Sequence, residues 1–168
     1  EKALQLQKRY AKGRIIDNCI QTNGTLITEE WCRFFHDNNF LVGVSIDGPR
    51  HFHNQYRGNT FDKVMHGIEL LNKYDVQWNA MAVVNNLNVE YPLEFYRFFR
   101  DELNCRYLQF TPIVERVDEK GRFVIGNEEG KLTKTSISSK QWGAFLCAIF
   151  DEWVQHDVGE MFVQMFDA

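Results

Sequence analysis

Short apolar runs alternate with amphipathic helical segments along this chain, and that alternation limits the fold more than any other feature. Arg14 to Gln21 (RIIDNCIQ), Phe40 to Ile46 (FLVGVSI), Trp78 to Val84 (WNAMAVV) and Tyr107 to Val114 (YLQFTPIV) read as strands. A run as apolar as the second suits a strand buried on both faces, as in parallel sheets. Between the strands, apolar residues recur at helical spacing: Trp31, Phe34 and Phe35 after Thr28, a good N-cap; Phe61, Val64, Ile68 and Leu71 after Thr60; Leu93, Tyr96, Phe99 and Leu103 after Pro92. Trp142, Phe145, Leu146, Ile149 and Trp153 define a longer last helix, and Leu4, Leu6 and Tyr10 an amphipathic stretch at the start. Four strand–helix units predict an α/β fold with a parallel sheet of βα repeats and right-handed crossovers. The pattern does not separate an open doubly wound sheet from part of a barrel. The stretch from Glu115 to Ser138 is irregular, with a short strand at Phe123-Val124-Ile125, and loops of that length are functional or mobile.

In parallel α/β folds, ligands bind at the carboxyl ends of the strands. Polar groups fall there: Gln21-Thr22-Asn23, Ser45 with Asp47, Asn85-Asn86, and Gln109 with Thr111. Period-2 alternation sets Ser45 and Asp47 opposite Val44 and Ile46, and Gln109 and Thr111 opposite Leu108 and Phe110. If these faces converge they form a hydrogen-bonding cup; otherwise each residue caps a strand or begins a turn. Asp47-Gly48-Pro49 reads as a turn. His51 and His53 form an H-x-H pair without the further His or Cys that completes a zinc set. Cys19, Cys32, Cys105 and Cys147 make no CxxC knuckle, so they read as reduced structural thiols of a cytoplasmic protein. The residues alone thus nominate no metal ligand and no catalytic group.

Other classes are disfavoured. The net charge is −4, with no basic stripe for a nucleic acid backbone. No apolar run approaches the roughly 18 to 20 residues of a membrane span. At 168 residues the chain is in the range of one domain. It opens on Glu1 within an amphipathic stretch and closes on Met165-Phe166-Asp167-Ala168, so both ends read as cuts through a larger protein.

Three segments, IQTNGTLITEEWCRFF from Ile20, FLVGVSIDGPRHFHNQYR from Phe40 and YLQFTPIVER from Tyr107, resemble the anaerobic sulfatase-maturating enzymes. These are radical S-adenosylmethionine (SAM) proteins, also called arylsulfatase regulators. QTNGTL and SIDGP occur in relatives that modify other peptides; Trp78-Asn79, Leu108-Gln109-Phe110 and Trp142 to Val158 narrow the likeness to the sulfatase group. The resemblance covers essentially the whole chain. It implies a partial (β/α)6 TIM-like barrel, of which residues 1–168 supply about strands 3 to 6. The CxxxCxxC loop for the [4Fe–4S] cluster, the GGEP segment, the catalytic Asp and the Cys-rich auxiliary-cluster domain of the family then fall outside this sequence.

The site residues that the resemblance implies are cofactor-binding ones. Ser45 matches the SAM-contacting Ser, Arg57 an Arg suited to the SAM carboxylate, and Val114 an apolar wall for the adenine. Gln21 and Asn23 line the same cavity, and Asp47 shapes its rim. The implied reaction is cleavage of SAM to a 5′-deoxyadenosyl radical, hydrogen abstraction from Cβ of a sulfatase Cys or Ser, and oxidation to formylglycine. The implied partners are the sulfatase polypeptide and an electron donor such as flavodoxin or ferredoxin. These 168 residues by themselves are expected to be inactive. Rival readings are a thioether-forming peptide maturase, a non-catalytic barrel-like binding module and a phosphate-binding barrel enzyme. Without its first two strands, the sheet would expose the strand holding Ile15 and Ile16 as an open edge and self-associate.

Overall fold

The computed structural model describes residues 1–125 and 129–167. In chain order the elements are α1 (Lys2–Tyr10), β1 (Asn18–Thr22), α2 (Glu29–Asp37), β2 (Phe40–Ser45), α3 (Arg50–Arg57), α4 (Phe61–Lys73), β3 (Trp78–Val84) and α5 (Pro92–Arg97). A π-helical turn (Phe98–Glu102) extends α5, and β4 (Tyr107–Pro112), β5 (Arg116–Val117), β6 (Phe123–Val124), β7 (Lys131–Leu132), α6 (Ser139–His156) and β8 (Phe162–Val163) follow. The main sheet runs β1-β2-β3-β4-β8, every pair parallel.

One face of this sheet is the core. Val42, Val44, Ile46, Ala80, Ala82, Val84, Leu108 and Phe110 are buried beneath the helices. Phe95 is at the centre of an aromatic cluster, its ring centroid 5.2 to 5.9 Å from those of Phe99, Phe110 and Phe145. Truncating so buried a Phe to Ala costs about 3–5 kcal/mol. The helix starts follow local chemistry. Thr28 accepts a hydrogen bond from the Trp31 N–H at the head of α2, and Ser138 and Gln141 close a capping box on α6. The first N–H of α4 is satisfied from α3, by the Asn54 carboxamide oxygen at 3.0 Å.

Several expectations need correction. The first strand begins at Asn18, and Ile15 is outside it and 90% exposed. The turn at Asp47-Gly48-Pro49 leads into a helix, α3, that its mostly polar sequence hid. Gly48 has φ +89°, and a Cβ there would lie 2.8 Å from the Phe95 ring, so conformation and space both demand glycine. The third helix does not keep one period. Its π-helical turn adds a residue, so that Phe95 and Phe98 are buried beside Tyr96, Phe99 and Leu103 while Leu93 is only half-buried. Part of the Glu115 to Ser138 stretch is ordered as a small antiparallel sheet, β6-β5-β7; residues 126–128 of that stretch lie outside the described residues. A fifth strand, β8, pairs with β4 through only two residues, too short a run to show periodicity.

Candidate functional site

Register decides which side chains meet on the face opposite the core. Gln21 pairs with Gly43 and Gly43 with Asn79 in one row; Ser45 pairs with Met81 and Met81 with Gln109 in the next. Strands lie about 4.8 Å apart, so Ser45 and Gln109 stand roughly 10 Å from one another across Met81. A Cβ on Gly43 would lie 3.0 Å from Met81 Sδ, 3.5 Å from Asn79 Oδ1 and 3.7 Å from Gln21 Cγ. The glycine thus floors a cradle walled by those three side chains. Ser45 is 7% exposed, yet its hydroxyl has no hydrogen-bond partner among the described residues. No buried side-chain polar atom among the described residues lacks a partner, so this hydroxyl keeps contact with the open face and is accessible to a ligand atom.

Asp47 takes a different position from Ser45. It is 0% exposed and belongs to a buried polar cluster. Its carboxylate accepts from Arg57 Nε at 2.5 Å, from Arg57 Nη2 at 3.1 Å and from the Val83 N–H at 2.9 Å. The Asp47 N–H donates to His53 Nδ1 at 3.3 Å, so Nδ1 is the acceptor and the ring proton is on Nε2, 3.0 Å from Thr60 Oγ1. Burial, with a further push from the Arg57 charge, holds the His53 pKa below the ordinary imidazole value against the pull of Asp47. The Arg57 side chain keeps 26% of its surface exposed, and its Nη1 has no partner among the described residues.

The other nominated residues divide. Gln21 is exposed on the cradle wall. Asn23 is exposed, its side-chain oxygen held in a turn by the Thr25 N–H and hydroxyl. Val114 lies beyond β4, 63% exposed, in a groove with Phe123, Val124 and Ile125. Burial raises the pKa of Tyr56 first, and the Glu115 and Asp47 charges add to it, so the start of the loop after β4 is within electrostatic reach of α3. Asn85 and Asn88 serve the backbone instead: Asn85 accepts from Leu87 N–H, and Asn88 accepts from Asn85 N–H and donates to the Val83 carbonyl. A cavity of about 700 Å³ opens toward the amino ends of the strands, where Asn18, Leu41, Gln77, Asn79, Tyr107 and Gln109 line it. It extends the open face away from the carboxyl rim.

Sequence reasoning missed His53, Thr60, Asn79 and Met81. Asn79 and Met81 were legible as the alternate positions of WNAMAVV. His53 was not, because the H-x-H pair belongs to a helix: His53 is buried while His51 faces out, 3.4 Å from Glu94. Residues two apart on a helix point to different sides and cannot share a metal. Among the described residues, no group of three His, Cys, Asp or Glu could hold a metal ion. Cys32 and Cys105 are buried and Cys19 and Cys147 exposed, each on a different segment, so these thiols do not fit an iron–sulfur cluster.

The family model for the radical SAM superfamily matches residues 1–99. The chain belongs to that superfamily. Across its whole length it is 60% identical to a serine-type anaerobic sulfatase-maturating enzyme of Bacteroides thetaiotaomicron, covering 43% of that protein. It is 35% identical to a cysteine-type enzyme of Clostridium novyi, over 87% of this chain and 38% of that one. The solved structure of native anSMEcpe with bound AdoMet superimposes with a TM-score of 0.84 at 32% identity, covering 99% of this chain and 45% of that one. The chain therefore spans less than half the length of these relatives. Its parallel sheet is the α/β architecture of the radical SAM (β/α)6 barrel enzymes. The cradle over Gly43, the unpartnered Ser45 hydroxyl and the free end of Arg57 suit a small ligand carrying both hydroxyl-binding groups and a carboxylate.

Proposed function

We propose that this chain is the SAM-binding middle part of an anaerobic sulfatase-maturating enzyme, which oxidises a Cys or Ser of a sulfatase to formylglycine. The observation that carries the reading is the 60% identity to the Bacteroides enzyme over the whole of this chain. Residues 1–168 make one portion of the barrel domain, and the cluster-binding loop and Cys-rich domain of such enzymes belong to other parts of the protein. Ser45 donates its hydroxyl hydrogen bond to the methionyl or ribose part of SAM. The end of Arg57 pairs with the SAM carboxylate, a charge-assisted contact stronger than a neutral one. Val114 gives the adenine an apolar wall, and Gln21 and Asn23 border the cavity.

When bound, the cofactor supplies the radical chemistry that begins at the substrate Cβ. Loss of a hydrogen atom there to the SAM-derived 5′-deoxyadenosyl radical, then of an electron to an iron–sulfur cluster and of a proton to a base, both held by other parts of the protein, would leave an aldehyde from Ser. From Cys it leaves a thioaldehyde, which water converts to the aldehyde with release of hydrogen sulfide. The chain's own part is to hold the cofactor in one orientation and to keep the reacting atoms from water. A cytoplasmic site, with flavodoxin or ferredoxin as electron donor, belongs to the same reading, and the four free thiols suit a reducing compartment. The full-length protein, reconstituted under anaerobic conditions, is incubated with SAM, reductant and a peptide carrying the C-x-P-x-R or S-x-P-x-R motif. Mass spectrometry should find the aldehyde; a thioether product, or unchanged peptide with intact SAM, would reject the assignment.

A further inference from the structure

The end of β2 leaves a hydrogen-bonding gap. The Ile46 N–H donates to the Met81 carbonyl at 3.1 Å. Two residues further along β3, the Val83 N–H points the same way, and no strand backbone meets it. The Asp47 carboxylate fills that place, accepting from Val83 at 2.9 Å. Its oxygens also take the Nε and Nη2 protons of Arg57, which are on one long side of the guanidinium plane. A guanidinium gripped along that side cannot turn about its Nε bond. Among the described residues nothing pairs with the Nη1–Nη2 end, and that end can present two parallel N–H groups to another carboxylate.

The grip is itself held in place. The Asp47 N–H is tied to His53 Nδ1, the His53 Nε2 proton to Thr60 Oγ1, and the Thr60 hydroxyl donates to the Gly58 carbonyl at 3.4 Å. The chain of bonds has one donor and one acceptor at every link, and it joins the turn after β2 to the residue that follows Arg57.

We infer that Asp47 and His53 are positioning residues that clamp Arg57 side-on, so that its free end selects a ligand carboxylate at the carboxyl rim. The inference rests on the reading of Arg57 as the SAM carboxylate partner. Asp47 accordingly acts through Arg57 and does not touch the cofactor.

The test measures equilibrium binding to the anaerobically reconstituted full-length enzyme, using SAM and decarboxylated SAM, which differ by the carboxylate. Wild type should prefer SAM, and Arg57→Ala should erase the preference. Asp47→Asn should cut SAM affinity about tenfold, the worth of a charge-assisted hydrogen bond, and leave the decarboxylated ligand unchanged. Equal weakening of both ligands, or no change in either, would overturn the clamp. A preference that survives Arg57→Ala would instead reject the carboxylate reading beneath it. If Asp47→Asn does not fold, His53→Gln carries the test, since it keeps Asp47 and Arg57 but removes the Nδ1 acceptor. It should produce a smaller loss confined to SAM; a loss shared by both ligands counts against the proposal.

Discussion

Replacing Gly67 and Gly143 by alanine makes the same chemical change within two helices, α4 and α6, and the structure assigns the two variants opposite signs. An alanine inside a helix is favoured over glycine by roughly 0.5–1 kcal/mol, because glycine loses more backbone freedom on folding. At Gly143 a new Cβ meets nothing within 4 Å, so that gain should appear undiminished. At Gly67 the same Cβ would lie 2.5 Å from the Gly24 carbonyl oxygen and 3.4 Å from Ile27 Cβ. Neither is a flexible side-chain end that could swing aside. Gly24 is itself fixed at φ +73°, with its own Cα side packed on Val44 and Val64. Forcing volume into so close a contact costs about 1–3 kcal/mol. The clash therefore outweighs the helical gain, and the two variants should differ by about 1–3 kcal/mol in unfolding free energy, read from the shift in urea midpoint at constant m-value. If Gly67→Ala stabilises the chain as much as Gly143→Ala does, the close approach of α4 to the loop after β1 is not present in solution, and the reasoning fails.

Two further outcomes are expected. The hydrogen bonds of Arg97, then those of Arg100, hold the Glu152 carboxyl at about 2, below its ordinary 4.5. A carboxylate depressed on folding contributes stability above its unfolded pKa, and that contribution is lost as the pH falls from about 4.5 toward about 2. Acid unfolding of Glu152→Gln should lack this part of the slope, and a wild-type-like slope between those limits would refute the assignment. The second concerns association. Among the described residues β1 pairs on one side only, with Ile20 41% exposed along it, and the sheet's open face carries the large cavity. Light scattering of residues 1–168 should report concentration-dependent dimers, weakened by Ile20→Lys, whereas a monomer at all concentrations would contradict it.

How much of the site was legible can be judged residue by residue. Alternation within FLVGVSI and YLQFTPIV correctly separated Val44 and Leu108, on the core face, from Ser45 and Gln109, on the open one. It could not reveal that Asp47 follows a different rule. Past the last ladder pair, the chain turns, and Asp47 goes to whichever donors lack an acceptor. Likewise Arg57 could be named from its likeness to a family, but its pairing with Asp47 could not, since nothing in HNQYR fixes where a helix unseen in the pattern will point.

What this sequence determined by itself was therefore local. Side-chain period, caps such as Thr28 and Ser138, and the left-handed turn at Gly48 are set by interactions within a turn or two of chain, and together they imposed parallel βα units. Tertiary structure alone decided the rest. The Val83 N–H finds its acceptor 36 residues away in Asp47, the two-residue β8 forms only by lying against β4, and a cavity of about 700 Å³ opens at the amino end of the strands. Those choices depend on strand register and on which buried donors remain unsatisfied, quantities that exist only once distant segments have been brought together.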